Sequence, residues 1–314
     1  MNRHLLLVED ASMYPSVQQI DTFPIYKDCN RLLRGVRYLH FKSGILSRYK
    51  TIWFSDWKKQ ISRYTDIVMM DSIYDYTPLQ YIRKQNPHAN IRFCFRNRVD
   101  ERITHSVQHR RPSELRNEYA CELWSYSKDD CAAYDMVHYD QFFIIPEDIL
   151  NKSLPISLDA YFIGEEKNRM GQLMKIKKML DDLGLITRFE VVVKDPHRTF
   201  NEEESRLLVP KRPYSEVLDT ILRSRCIIDV VGEINYGMTY RSLEACFLKK
   251  KLITNYAEIV DADFYNPQNI FILGRDDINT IKEFVMSPFN VTNAEHVDRY
   301  SFTYFCHRIF GLDN

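Results

Sequence analysis

Short apolar runs recur along the chain at intervals that fit strands separated by helices. Residues 4–8 read as a strand that ends in the acidic pair Glu9–Asp10, and residues 49–54 as a second β-rich run. Residues 66–70 (DIVMM) are almost continuously apolar, the pattern of a strand covered on both faces. Residues 78–84 have helical character, 91–95 and 122–126 read as further strands, and Ser127 caps a helix running to about Tyr134. Strands alternating with helices predict a parallel sheet and a Rossmann-like domain.

The pattern breaks in PEDILNKSLP, around residues 144–155, which reads as a linker. It then restarts. Strands are predicted at 158–163, 187–193, 226–231, 251–254 and 269–273, with helices at 167–183, 214–224 and 240–248. Gly184 stands where a helix C-cap is needed. The expected organisation is a domain over 1–150, a second over 156–293, and a helical, aromatic segment over 294–314 that returns to the first domain.

Composition narrows the function classes. Forty-three basic and 43 acidic residues balance to a formal net charge of zero, so no overall field recommends nucleic acid as a partner. Seven dispersed cysteines without a C-x-x-C pair argue against a zinc ribbon or a redox motif, and favour a reducing compartment. MNRHLLLVED is too short in its apolar run for a signal peptide, and no stretch approaches the ~20 apolar residues of a membrane span. A cytoplasmic protein is expected, with any membrane contact peripheral and at the inner face.

The start LLLVED followed by DIVMMDS imitates a phosphoacceptor receiver domain, with Asp71 as acceptor. Asp71 lies too far from the acidic pair, and no lysine ends the later strand FFIIP. What survives is a general rule: acids collect at the carboxyl ends of parallel strands, where α/β enzymes place ligands. Asp10, Asp56 and Asp71 each follow an apolar run. Asp10 and Asp71 are the leading candidates for a general base, although strand-end acids also serve as helix caps.

The most informative run extends from Asp229 through Gly232, Glu233, Gly237, Met238, Thr239, Arg241 and Glu244 to KKKLITN at 249–255. It reads as strand, loop, helix, strand. Glycines let a backbone approach a ligand, and free N–H groups at a helix start favour phosphate oxygens. Arg241 in the first turn opposes the helix dipole unless an anion is bound. Glu244, three positions on, can accept ribose hydroxyls; the two also have the spacing of an ordinary intrahelical ion pair. Arg241→Ala is therefore expected to weaken nucleotide binding with little loss of folding.

The segments GMTYRSLEA, KKKLITN and DFYNPQNIFIL resemble the donor-binding region of GT-B glycosyltransferases of bacterial capsule, lipopolysaccharide and related surface-glycan synthesis. The resemblance is strongest over residues 159–276. It implies an α/β fold of two Rossmann-like domains facing across a cleft, with the nucleotide diphosphate before the helix of Arg241 and the ribose on Glu244. It gives donor-binding roles to Gly237, Met238 and Thr239 by position. The spacing from Glu233 to Glu244 exceeds that of the glutamate pair in retaining members, which leaves inverting and retaining chemistry both open.

The same resemblance makes Gly164 the first point of donor contact, with Lys167 and Arg169 reaching phosphates; a solvated helix start is the alternative. Lys194 ends the strand RFEVVV, and Tyr214 and Ser215 open the helix before the main run. The arginine-rich stretch from Arg92 to Arg116, with Arg96, Arg98, Arg102, Arg110, Arg111, His105 and His109, suggests a basic rim for an anionic acceptor. No metal and no cofactor are expected. The predicted activity is sugar transfer from a nucleotide-sugar donor to a glycan or lipid-linked acceptor. The alternatives are an epimerase-like nucleotide-sugar enzyme and a non-catalytic partner subunit.

Overall fold

The computed structural model describes residues 3–43, 47–99, 111–150, 152–195, 197–232 and 238–312. The chain divides into two compact units, 1–140 with 302–314, and 141–301. Each unit is built on one parallel sheet.

In unit 1 the strands are β1 (His4–Val8), β2 (Ile20–Pro24), β3 (Asp66–Met70), β4 (Asn90–Phe95), β5 (Cys121–Ser125) and β6 (Val137–His138), in the order β2-β1-β3-β4-β5-β6. Every residue of β1 and β3 is buried, as expected for central strands with both faces covered. Edge strand β2 carries Pro24, tolerated where no neighbour requires its N–H. The helices are α1 (Arg31–Ser43), α2 (Thr77–Gln85), α3 (Pro112–Tyr119) and α4 (Lys128–Tyr134). Ser127 caps α4 by accepting from the Asp130 amide. Residues 49–54, expected to be a strand, lie mostly in a 3-10 segment, Ser47–Trp53. There Lys50 turns inward, with Nζ on Asp75 at 2.6 Å and on the Phe41 carbonyl at 3.3 Å.

In unit 2 the elements are α5 (Glu147–Leu150), β7 (Leu158–Glu165), α6 (Met170–Asp182), β8 (Thr187–Val192), α7 (Glu202–Ser205), α8 (Tyr214–Leu222), β9 (Ser224–Asp229), α9 (Tyr240–Phe247), β10 (Lys251–Thr254), β11 (Ile270–Ile272), α10 (Ile281–Met286) and α11 (Ala294–Asp298). The sheet order is β11-β10-β9-β7-β8. Alternating residues of β7 feed opposite layers. Tyr161 and Ile163 join the core with α8 and α9; Ala160 and Phe162 join the one with α6 and α10. Gly184 ends the α6 turn in the left-handed region at φ +74°, the C-cap role read from the sequence.

The helical segment expected over residues 294–314 holds two helices, α11 and a second after it. The chain turns between them, where the Phe143 amide donates to the Tyr300 carbonyl at 2.8 Å. The second helix, α12 (Phe302–Phe310), packs in unit 1, where Arg308 reaches Asp140 and the His138 carbonyl. Five of the seven cysteines are buried, and burial pushes the thiols of Cys121, Cys226 and Cys246 up to about 12. Among the described residues, no helix is long and apolar enough to cross a membrane.

Candidate functional site

A parallel sheet offers a ligand crevice where the chain leaves two adjacent strands in opposite directions. The strand order of unit 2 puts this switch point between β7 and β9. Side chains after these strands converge there.

After β7, the turn Glu166–Arg169 has Lys167 and Asn168 in the left-handed region, at φ +43° and +62°. It is held by the buried Glu166 carboxylate, which accepts from the Asn168 amide at 3.0 Å, the Met170 amide at 3.3 Å and Arg198 at 2.9 Å. The first turn of α6 thus has an internal anion. Lys167 is exposed. Arg169 points back to the sheet: it donates twice to the Glu165 carbonyl, at 3.1 and 2.8 Å, and once to the Val230 carbonyl. Three of its five N–H groups therefore tie the end of β7 to the end of β9.

Gly164 makes room for that latch. A Cβ there would stand 2.7 Å from Arg169 Nη2 and 3.2 Å from the Phe162 ring. Arginine side chains usually yield, but this one is fixed on two carbonyls. Gly164→Ala is expected to cost about 1–3 kcal/mol in a denaturant titration, with an equal loss absent in the Gly164→Ala/Arg169→Ala pair.

After β9, Asp229 is fully buried and accepts from Thr239 Oγ1 at 2.6 Å and Ser242 Oγ at 3.2 Å. Burial pushes its carboxyl up, against the pull of those hydroxyls and of Arg169. Thr239 also caps α9, accepting the Arg241 amide at 3.1 Å. Asn255, after β10, holds Val231 just past β9, with its Oδ1 on the Val231 amide at 2.7 Å and its Nδ2 on the Val231 carbonyl at 2.9 Å. The start of α9 is therefore fixed to the end of β9 through Asp229, while Arg169 and Asn255 hold the residues just after β9.

Arg241 does not stand alone. It is ion-paired with Glu244, a buried carboxylate that also accepts from Tyr214 at 2.8 Å. Burial pushes the Glu244 carboxyl up, and Arg241 and Tyr214 work against it. Glu244 has no exposed surface, so the ribose contact expected of it would require this cluster to rearrange. The expectation of little folding loss on removing Arg241 is reversed, because its partner is a buried carboxylate. Next to this cluster, Glu190 accepts from Tyr161 at 2.5 Å and from Arg212 at 2.9 and 2.8 Å. Burial raises the Glu190 carboxyl, but these hydrogen bonds, together with Arg188, more than reverse that and leave it below its usual value.

Of the remaining donor-side candidates, Lys194 is exposed and pairs with Glu165 at 2.6 Å. Met238 packs against the core of α8 and α9. Gly237 and Glu233 lie outside the described residues, as do Arg102, Arg110, His105 and His109. Asp229, Asn255, Glu190, Tyr161 and Arg212 were not singled out from the sequence. Only Asp229 left a signal there, an acid that closes an apolar strand three residues before a glycine.

In unit 1 the switch point falls between β1 and β3, so Asp10 and Asp71 follow its two strands. Asp10 Oδ1 caps a 3-10 turn, accepting from the Ser12 amide at 3.0 Å and its hydroxyl at 2.7 Å. Asp71 is half-buried, with its amide on the Cys94 carbonyl at 2.9 Å. Arg96 is exposed at the end of β4, and its charge acts on both Tyr14 and Tyr139. Burial pushes the Tyr139 phenol up; Arg96 counters this and Asp71 adds to it. Arg98 is instead tied to α4, at 3.0 Å from Asp129 and 4.0 Å from Asp130. Asp56 is exposed, and the Lys59 ammonium lowers its carboxyl. Among the described residues, no group of three or more His, Cys, Asp or Glu is arranged to hold a metal ion.

No family model matches the chain, and no curated protein matches it in sequence. Solved structures match along almost its whole length. The chain is similar to sucrose-phosphate synthase from Thermosynechococcus elongatus, with 10% identity over 99% of this chain and 98% of that one and a TM-score of 0.51. It is also similar to AviGT4, a glycosyltransferase involved in avilamycin A biosynthesis (10% identity, 99% and 96% covered, TM-score 0.48). A third is an α-glucosyltransferase solved with UDP and a 13-mer DNA (10% identity, 99% of each chain, TM-score 0.47). At such identities the likeness is one of fold. The two parallel-sheet units have the α/β architecture of GT-B glycosyltransferases.

Proposed function

We propose that the chain transfers a sugar from a nucleotide-sugar donor to a glycan or lipid-linked acceptor in bacterial surface-polysaccharide or glycoprotein-glycan synthesis, at the inner face of the membrane. The observation that carries this reading is the carboxyl edge of the second sheet. There Arg169 and the half-buried Arg241 stand beside the start of α9, which is fixed by Asp229, Thr239 and Ser242. Two guanidinium groups and the N-terminus of a helix make a receptor for a diphosphate and for the negative charge it gains as the sugar departs.

In this reading the donor diphosphate lies on Arg241, with Gly164, Lys167 and Lys194 around it. Binding draws Arg241 from Glu244, which then turns to the ribose. Unit 1 receives the acceptor, with Asp71 removing its proton and Arg96 on its anionic groups. The charge is balanced by side chains and helix ends, without metal or cofactor.

One observation favours a second reading. Arg169, Arg241 and the start of α6 are all engaged by groups of the chain itself. A glycosyltransferase-like subunit that serves a partner enzyme would keep them so. A thermal-shift screen against UDP, GDP, CDP, CMP, TDP and their sugars separates the two, because a ligand of the folded state raises the melting temperature. A shift with one nucleotide, abolished in Arg241→Ala, is expected for the enzyme. No shift at millimolar concentration would overturn the donor site and leave the subunit reading.

A further inference from the structure

Helix α1 is folded with its polarity reversed. The side chains that it buries are Arg37 and Phe41. Arg37 donates to the Lys27 carbonyl at 2.8 Å and lies over the rings of Tyr26 and Tyr74, at 5.2 and 5.5 Å. The outward stripe is apolar: Leu32, Val36 and Leu39 succeed one another at i, i+4 and i+7, and are 82%, 52% and 63% exposed. Leu33 extends it on one side. Beyond it, His40 Nδ1 accepts from Trp53 at 2.9 Å, and this joins the helix to the 3-10 segment that exposes Tyr49 and Ile52. On the other flank of the stripe are Arg31 and Lys42, both exposed, whereas Arg34 lies on the opposite side, on Asp28 at 3.1 Å and the Cys29 carbonyl at 2.9 Å. A buried, stacked arginine fixes which way the helix faces, so the leucines are not free to rotate inward.

Charge sets the kind of partner. The whole chain is neutral, but residues 27–59 hold nine Lys or Arg against two Asp and no Glu. A second copy laid on this stripe would bring Arg31 and Lys42 near their own equivalents. An anionic bilayer surface accepts both features at once. The leucines enter the boundary between headgroups and acyl chains, and each nearby cation adds about 1 kcal/mol from the lipid charge. Helix α1, 13 residues long, measures about 20 Å at 1.5 Å per residue, and its stripe from Leu32 to Leu39 about 10 Å, so both can lie in the plane of the interface.

We infer that α1 is a membrane-docking helix, which seats Leu32, Val36 and Leu39 in an anionic lipid surface with Arg31 and Lys42 on its headgroups. This deepens the membrane side of the function proposed above. It is tested without donor or acceptor, so it stands or falls apart from sugar transfer.

The test is flotation of the full chain with vesicles of phosphatidylcholine alone and of phosphatidylcholine with phosphatidylglycerol, at low and high salt. The chain is expected to float with the anionic vesicles only, and less at high salt. Leu32→Ser/Val36→Ser/Leu39→Ser should lower vesicle affinity by more than about tenfold, and Arg31→Glu/Lys42→Glu should remove the preference for anionic lipid. Both variants should keep the wild-type melting temperature, because these side chains are exposed. Absence of flotation with anionic vesicles, or equal flotation of the triple variant, would overturn the inference. So would a dimer in light scattering that the same substitutions dissolve, which would assign the stripe to a second copy.

Discussion

At neutral pH, Arg241→Ala is expected to lose about 3 kcal/mol of stability in a denaturant titration and all measurable affinity for nucleotide by calorimetry. The stability loss follows from what remains. Glu244 is buried with Tyr214 as its other partner, so the variant must either hold an uncompensated carboxylate or protonate it. Burial already places this carboxyl above its usual 4.5, and removal of the guanidinium moves it higher. A carboxyl raised on folding binds its proton more tightly in the folded state, so stability falls as pH rises from the ordinary value through the raised one. The deficit of Arg241→Ala should therefore shrink as pH is lowered from neutral towards 4.5. Arg241→Ala/Glu244→Gln should recover most of the stability at neutral pH, and none of the nucleotide binding. A single variant as stable as the wild type would mean that the ion pair is not formed in solution. Retained affinity would remove Arg241 from the donor site.

What was legible in the sequence follows from which interactions are local. The central strands stood out because burial on both faces demands an unbroken apolar run, as in DIVMM. The Ser127 cap and the Gly184 turn are set by residues a few positions apart, and both were readable. Helix α1 was not. Most of its apolar positions face outward and an arginine, Arg37, is buried beside Phe41, so the usual relation between pattern and burial is largely inverted. Strand β2 was hidden by Asp21 and Pro24, which an edge permits. The run YKTIWF has the composition of a strand, but Lys50 reaches inward to Asp75, 25 positions away, and the backbone winds to let it.

The candidate site divides in the same way. Arg241 and Glu244 are one helical turn apart, so both the phosphate reading and the ion pair could be posed from spacing. Their burial could not, because it depends on Tyr214, which arrives from another helix. The Asp229 hydroxyl partners are 10 and 13 positions away, and Glu190 meets Tyr161 across two strands. Acids at strand ends were visible one by one. Strand order, which selects Asp10 and Asp71 as flanking one switch point, exists only in the folded sheet.

That strand order also separates these two acids by experiment. If unit 1 supplies the general base, Asp71→Asn should lower turnover by about 10²–10⁴-fold and leave nucleotide binding and melting temperature close to wild type. Asp71 is half-buried beside Tyr139, with Arg96 near enough to influence the same phenol. A proton acceptor and a cation for an anionic acceptor thus share one strand edge. Asp10 has different work. Its Oδ1 already accepts two hydrogen bonds from Ser12, and asparagine caps such a turn as well as aspartate does. Asp10→Asn is therefore expected to leave both fold and turnover nearly intact, whereas Asp10→Ala should lower stability by about 1 kcal/mol. Asp56 is a poor substitute base, because the Lys59 ammonium lowers its carboxyl and favours the state that has given up its proton. If Asp71→Asn kept full turnover and Asp10→Asn lost it, the cap would be the base and the Ser12 hydrogen bonds would have to open in the acceptor complex. If neither lost turnover, the proton would leave by a group outside β1 and β3, and the acceptor role of this edge would fall with it.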